Sequence, residues 1–450
     1  MVLTGRAALV ALLCVLPIGA APEPAIAFGV AAAGLLAAVA ADVLAAARVR
    51  DLAFTRDGDS SARLGQPVTV GLTVRNTGRR RFRGRVRDAW PPSAGAGPRS
   101  HPVTLAPGAA ERVVTTLRPM RRGDQVSAVV TARALGPLGL AGRQRSVAVP
   151  WQVRVLPPFL SRKHLPARLA KLREIDGPLP VLIRGQGTEF DSLREYVVGD
   201  DVRSIDWRAT ARRADVVVRT WRPERDRRIV IVVDTGRTSA GRVGVDPTQA
   251  RLPAPPAALD PGAGWPRLDW SLDAALLLAA LASRAGDQVD FLAFDRVQRA
   301  AVHHATRGQV LTQLVAAMAP LQPALLESDA RAMVAAVQRR SRHRALVVLL
   351  TDLNPTALEE GLLPVLPRLV ATHEVLLAAV GDPRVDALAA GRADAPQVYA
   401  AAAAERSRND RHAMATRLRR AGVDVVDAAP EDLAPALADR YLAAKAAGRL

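Results

Sequence analysis

Four short apolar runs in the second half of the chain each lead into an aspartate. Residues 229–233 end at Asp234, 289–294 at Asp295, 346–350 at Thr351 and Asp352, and 375–380 at Gly381 and Asp382. None alternates polar with apolar, so each predicts a strand buried on both faces, the mark of a parallel sheet. Helical patterns lie between and after them, over 272–284, 310–318, 330–340, 357–370, 385–420 and 433–446. This alternation predicts an α/β, doubly wound parallel sheet across residues 227–450. Asp234, Asp295 and Asp352 then fall at strand carboxyl ends, where such sheets hold ligands at a switch point. A Gly- and Pro-rich insertion, residues 237–267, opens at that same end. Loops of this length are functional or disordered.

The first 50 residues are of a different kind. Residues 7–21 are apolar, and 25–41 are apolar again and continue past Asp42 to Ala47. Pro22-Glu23-Pro24 breaks the helix between them, since proline removes a donor. A membrane span takes about 20 apolar residues, so a transmembrane helical hairpin is expected over residues 1–50. Arg6 precedes the first segment and Arg48 and Arg50 follow the second, which puts both ends on the cytoplasmic side of a multi-pass cell-membrane protein. Asp42 would be costly at mid-bilayer but can reach the interface from the helix end. One rival is a cleaved signal peptide ending near Ala20 and Ala21, with the second segment still anchoring the chain. Another is a second segment that does not insert, leaving a secreted protein. The single cysteine, Cys14, excludes a disulfide framework and a thiolate metal site.

Residues 51–157 predict a small antiparallel β-sandwich of Ig-like type. Residues 68–74 alternate at period two before an Asn76-Thr77-Gly78 turn, and 126–132 and 147–155 alternate in the same way. More than half of the chain's formal +19 charge sits in this segment, all of it arginine. Arg81, Arg83, Arg85 and Arg87 share one strand face, while Phe82 and Val86 point to the core. Such a stripe protects an edge strand by solvation, or it meets an anionic lipid surface a few residues from the membrane. Nucleic acid is not the expected partner, because no aromatic residues beyond Phe82 interleave the arginines.

Residues 158–226 read as a helical linker followed by a dense signature over 187–226. Nine acidic residues meet eight arginines there, so the stretch is nearly neutral in a basic chain. Arginine's planar fork matches a carboxylate at two points, and Phe190, Leu193, Tyr196, Ile205, Trp207 and Trp221 are interleaved. The balance predicts a compact ion-pair network on an aromatic floor, either a clasp joining two domains or a docking surface. The order Phe190, Leu193, Arg194, Tyr196, Gly199, Asp200, Arg203, Ile205, Asp206, Trp207, Thr210, Ala211, Arg212 resembles the signature of the domain-of-unknown-function 58 family. That resemblance implies a bacterial membrane-anchored protein in which a von Willebrand factor A-like domain of Rossmann-like topology follows the signature. It further implies a MoxR-type AAA+ ATPase as partner, in envelope assembly or stress. It supplies no reaction.

The resemblance also implies a place for Mg2+. A von Willebrand A-like domain holds its metal with D-x-S-x-S after the first strand, a threonine in a later loop, and a late aspartate. Asp234, Thr238 and Asp352 match, Gly236 replaces the first serine, and Ser328-Asp329 is nearest to the threonine loop. Hydroxyls with carboxylates suit a hard cation that keeps its waters. An alternative function follows: a Mg-dependent hydrolase in which Asp234, Asp295 and Asp352 activate water. The bland reading has these aspartates capping helices and ending strands. The chain has no phosphate-binding glycine loop, HExxH or GxSxG, and His303-His304 lacks fitting ligand partners.

Overall fold

The computed structural model describes residues 1–176, 189–197, 200, 202–212, 215–222, 227–244, 264–303 and 308–449. Gly199 of the signature and residues 245–263 of the insertion lie outside that set. The chain divides into two compact units, Met1–Leu156 and Pro157–Leu450.

The first unit opens with strand β1 (Val2–Leu3) and helices α1 (Gly5–Gly19) and α2 (Pro24–Ala45). Among the described residues one helical stretch, Pro24–Asp51, is long and apolar enough to cross a membrane. At about 1.5 Å per residue, the 15 residues of α1 fall short of a bilayer core of about 30 Å. The two helices pack on each other and expose Leu12, Leu13, Leu16, Ile26, Phe28, Val30 and Leu36.

Asp42 corrects the expectation of a carboxylate reaching for the interface. It is 1% exposed and accepts the backbone N–H groups of Leu138 (2.8 Å), Leu140 (2.7 Å) and Ala141 (2.8 Å). These three backbone donors give the carboxylate partners within the protein. Arg143 donates to the Val43 carbonyl at 3.0 Å and Arg80 to that of Leu44, which satisfies the open end of α2.

Strands β2 (Leu52–Gly58), β3 (Ser61–Arg63), β4 (Val68–Asn76), β5 (Phe82–Asp88), β6 (Ser100–Leu105), β7 (Ala110–Leu117), β8 (Gly123–Leu135) and β9 (Ala141–Leu156) complete the unit. They form two sheets, β1-β9-β8-β5-β6 with β3 joining β9 in parallel, and β2-β4-β7; the other pairings are antiparallel. Leu72 and Val74 of one sheet and Phe82, Val86 and Val130 of the other share a core. Within that core Arg56 of β2 reaches Asp88 of β5 at 2.6 Å, each side chain 1% exposed.

In the second unit a helix, α3 (Leu165–Asp176), precedes a two-stranded antiparallel hairpin, β10 (Glu189–Glu195) and β11 (Val217–Arg222), with the short helix α4 (Trp207–Thr210) between its strands. The large sheet follows: β12 (Arg228–Asp234), β13 (Gln288–Phe294), β14 (Gln298–Val302), β15 (Leu346–Leu350), β16 (Glu374–Val380) and β17 (Val423–Ala428). Its order is β14-β13-β12-β15-β16-β17, parallel except for β14. The chain starts in the middle at β12, goes to one side, then crosses to the other, so the order reverses between β12 and β15. The helices are α5 (Arg267–Arg284), α6 (Val310–Met318), α7 (Ala330–Arg340), α8 (Pro355–Ala357), α9 (Leu366–Val370), α10 (Pro383–Ala389), α11 (Ala395–Arg420) and α12 (Pro430–Ala446).

Val230, Val232, Val347, Leu349 and Leu377 on one face of the sheet pack with α7, α9 and α11. α5 and α12 contact one another and the strands. Burial on both faces explains why the apolar runs do not alternate. In the large sheet two strands were not expected from the sequence, β14 and β17; neither was the β10–β11 hairpin, and the single helical patterns over 357–370 and 385–420 are each broken into shorter helices.

Candidate functional site

The signature forms a small module of its own. Val202–Ser204 makes a helical turn, Ile205 bridges to Val218, and the Asp206 N–H donates to the Val217 carbonyl at 2.9 Å. Asp206 caps α4, its carboxylate accepting from the N–H groups of Arg208 and Ala209, each at 3.0 Å. Thr210 accepts the Val217 N–H at 3.1 Å, and the Tyr196 N–H reaches the Val216 carbonyl at 2.8 Å. Arg194 donates to Asp200 at 2.6 Å, and Asp200 also takes the Val197 N–H at 3.0 Å. The hydrogen bond that Arg194 donates to Asp200 raises the Arg194 pKa, against a smaller effect of burial. Phe190 sits opposite Trp221 in the hairpin register.

Among the described residues of the module, Asp200 and Asp206 therefore hold turns. Trp207 does not belong to a buried aromatic floor: it is 66% exposed, with Val197, Val202 and Val216 also exposed, while the side chains of Phe190 and Trp221 lie outside the described residues. Arg203 and Arg212 are exposed as well.

At the carboxyl end of the large sheet, the reversal of strand order opens a recess of about 230 Å³. Asp234 forms part of its lining. Its Oδ1 accepts from the Ser328 hydroxyl (2.5 Å) and the Gly236 N–H (2.8 Å), and its Oδ2 from the hydroxyls of Thr351 (2.7 Å) and Thr238 (3.1 Å). Four donors fill the acceptor capacity of one carboxylate. Val232, Met333, Leu349 and Leu358 make the apolar wall, and Arg237 pairs with Glu327 at the rim, 3.2 Å apart and solvent-exposed.

Gly236 has a local reason. A Cβ built there would lie 2.2 Å from Ser328 Oγ and 2.9 Å from the Leu326 carbonyl oxygen. The hydroxyl absent from residue 236 is thus supplied from the loop before α7, and the two serines could not coexist without a shift. Sequence reading placed Ser328 near this role but missed Thr351, which shows no local signal.

The three-aspartate cluster is not assembled. Asp352 is held by Arg411 at 2.5 Å, with Arg267 3.7 Å away, and Arg411 also binds Asp427 at 2.6 Å. Burial works against the Arg411 charge, but its two carboxylate partners more than offset that and raise its pKa. Asp295 accepts from Arg299 at 2.6 Å and from the N–H groups of Arg296 and Val297. Burial pushes the Asp295 pKa up, yet these donors win and hold it below the usual carboxylate range. Among the described residues no three His, Cys, Asp or Glu side chains come together as metal ligands. Arginine pairing removes two of the three carboxylates a water-activating centre would need.

The arginine stripe falls on β5, where Phe82, Gly84, Val86 and Asp88 are buried while Arg83, Arg85 and Arg87 are exposed; Arg81 just precedes the strand. β5 lies between β8 and β6, so the stripe does not guard an edge. Arg85 stands opposite Arg133, which donates to Gln144 at 2.9 Å.

Likeness to solved structures is slight. The CARDB domain of the PF1109 protein from Pyrococcus furiosus, in complex with di-metal ions, aligns over 23% of this chain and 87% of that one, at 15% identity and a TM-score of 0.17. The PKD domain of an M14-like peptidase from a Thermoplasmatales archaeon aligns over 22% and 92%, at 14% identity and 0.14. Two curated relatives are nearer in sequence. They are uncharacterized protein Rv1480 of Mycobacterium tuberculosis and uncharacterized protein Mb1516 of Mycobacterium bovis, each 30% identical over 208 residues. The match takes in 45% of this chain and 58% of each relative, so the chain spans little more than half their length. Residues 192–249 and 267–424, which contain most of the signature module and the Asp234 recess, match the family described as Protein of unknown function DUF58.

Proposed function

We propose that the chain is a membrane-anchored interaction protein whose signature module docks a partner on the cytoplasmic side. The observation that carries this reading is the exposed Trp207, with Val197, Val202 and Val216 on the same hairpin. Apolar side chains left in water on an otherwise hydrogen-bonded module suit a protein interface, and tryptophan is the commonest anchor of one. In this reading α2, paired with α1 as a membrane hairpin, tethers an Ig-like sandwich and a von Willebrand A-like domain. The order of the large sheet, central at β12 and reversing at Asp234, is consistent with that Rossmann-like assignment. The resemblance of the signature supports a MoxR-type AAA+ ATPase as the partner, acting in envelope assembly or stress. Trp207→Ala should leave the thermal midpoint of the full chain unchanged and weaken binding to the purified ATPase by about thirtyfold, the range of an interface anchor. Undiminished binding would move the interface off this module.

Mg2+ belongs to the same reading as an aid to binding, not as a water activator. One carboxylate and three hydroxyls are hard oxygen donors that fit an ion keeping several waters. Asp234, Thr238, Ser328 and Thr351 would hold it, and Asp352, turned to Arg411, would not. The ion would present an electropositive face to a partner's carboxylate. Calorimetric titration with Mg2+ should show binding in the wild type and none in Asp234→Ala; equal heats from the two would remove the ion from this recess.

A further inference from the structure

Where the chain leaves α2 it passes through buried Ala46 and Ala47 and then Arg48-Val49-Arg50-Asp51. Val49 is 4% exposed and belongs to the core of the first unit, while Arg48 and Arg50 on either side of it are exposed. The β9 segment Arg143-Gln144-Arg145 runs alongside. Together these six residues, four of them arginines, line an open recess of about 380 Å³. Arg143 is fixed there by its bond to the Val43 carbonyl, and Asp51 lies 3.7 Å from Arg50. Asp51 offsets one of the four like charges, and the others repel one another unless a further anion sits between them.

This recess is distinct from the β5 stripe. Arg143 and Arg145 pair with Ala134 and Ala132, both fully buried, whereas Arg85 pairs with exposed Arg133. Directly paired residues share a sheet face, so the two basic surfaces point opposite ways. The recess adjoins the end of the stretch that, among the described residues, is long enough to span a bilayer, Arg48 standing three residues past Ala45. With α2 spanning a bilayer, the recess would lie near the lipid headgroups. Guanidinium forks match phosphate oxygens in pairs, and basic side chains at this depth are attracted to anionic lipid.

We propose that Arg48, Arg50, Arg143 and Arg145 form a seat for the phosphate of an anionic phospholipid headgroup. The proposal rests on α2 spanning the membrane. Phosphatidylglycerol is preferred to phosphatidylcholine, because the choline cation would face four guanidinium groups.

The test uses the full chain in detergent, titrated with short-chain phosphatidylglycerol, phosphatidylcholine or inorganic phosphate, with bound lipid read by native mass spectrometry. The wild type should retain phosphatidylglycerol, and Arg48→Gln/Arg145→Gln should bind it at least about tenfold more weakly. Arg83→Gln/Arg85→Gln, which removes the same charge from the opposite face, should bind within about twofold of wild type. Both sites are exposed, and matching melting curves without lipid confirm that the variants fold. Equal losses in the two double variants would reduce the effect to diffuse charge attraction and overturn the proposal. Equal retention of phosphatidylcholine, or full competition by inorganic phosphate at the lipid's concentration, would also overturn it. Carbonate extraction separates the two levels: release of the wild-type chain from membranes would refute the anchor itself, whereas membrane retention with no lipid preference refutes only the seat.

Discussion

Asp88→Ala is expected to destabilise the unit Met1–Leu156 by about 3–5 kcal/mol, the cost of breaking a buried ion pair from one side. Asp88 stands 2.6 Å from Arg56 with both side chains 1% exposed, and it also accepts from Ser127 (3.1 Å) and from the Trp90 indole (2.7 Å). Removing it strands a guanidinium between two sheets, with only Ser127 left to accept from it (2.8 Å to Oγ, 3.3 Å to the carbonyl) and Trp90 beneath it at 5.7 Å. Arg56 Nε already lacks a hydrogen-bond partner, and burial lowers the Arg56 pKa against the pull of Asp88. A loss of this size is a large share of the roughly 5–15 kcal/mol that holds a domain folded. The double variant Arg56→Met/Asp88→Leu should recover most of it, because apolar replacements of similar volume remove the stranded charge. Denaturant titration, with hydrogen exchange followed over residues 52–156, measures both. A single variant as stable as the double would show that the pair does not hold the sheets together.

The sequence was most legible where burial is uniform. β12, β13, β15 and β16 announce themselves because both faces are covered, so every position is apolar. β17 reads Val-Asp-Val-Val-Asp-Ala; its edge position lets Asp424 and Asp427 face outward, and between two helical stretches it passes for a loop. β14 is a short edge strand with two polar residues at its start and hides for the same reason. The signature was legible as a unit because its polar residues are closely spaced and cap their own turns. The exposure of Trp207 was not, since an aromatic among charges reads equally as floor or as anchor. The Asp234 recess was half legible: Thr238 lies four residues on, but Ser328 and Thr351 arrive from 94 and 117 residues away. Arg411 and Arg267, which claim Asp352, carry no local mark either.

Asp42 is the sharpest case of a residue whose role only tertiary structure decides, and Asp42→Ala should have an effect comparable to that at Asp88. Three backbone N–H groups, those of Leu138, Leu140 and Ala141, would lose a charged acceptor; each stranded donor costs about 1–3 kcal/mol. Water can reach some of them once the loop lifts, so the expected total is about 3–5 kcal/mol rather than the sum. Thr4, which donates to the carbonyls of Gly139 (2.6 Å) and Leu140 (3.0 Å), would be the main remaining link between this loop and the helices. The consequence is mechanical: the loop between β8 and β9 would loosen from α2, which would then be held to the sheets by Arg143, Arg80 and the apolar contacts of Val39 with Leu140 and Ala141. Gly136→Ala reaches the same state by another route, because its Cβ would stand 2.1 Å from Asp42 Oδ1. Amide exchange at residues 138, 140 and 141 should quicken by about a hundredfold or more in both variants, while β12 and β15 exchange as in the wild type. If those three amides stay protected in Asp42→Ala, the carboxylate is not what ties α2 to the loop between β8 and β9.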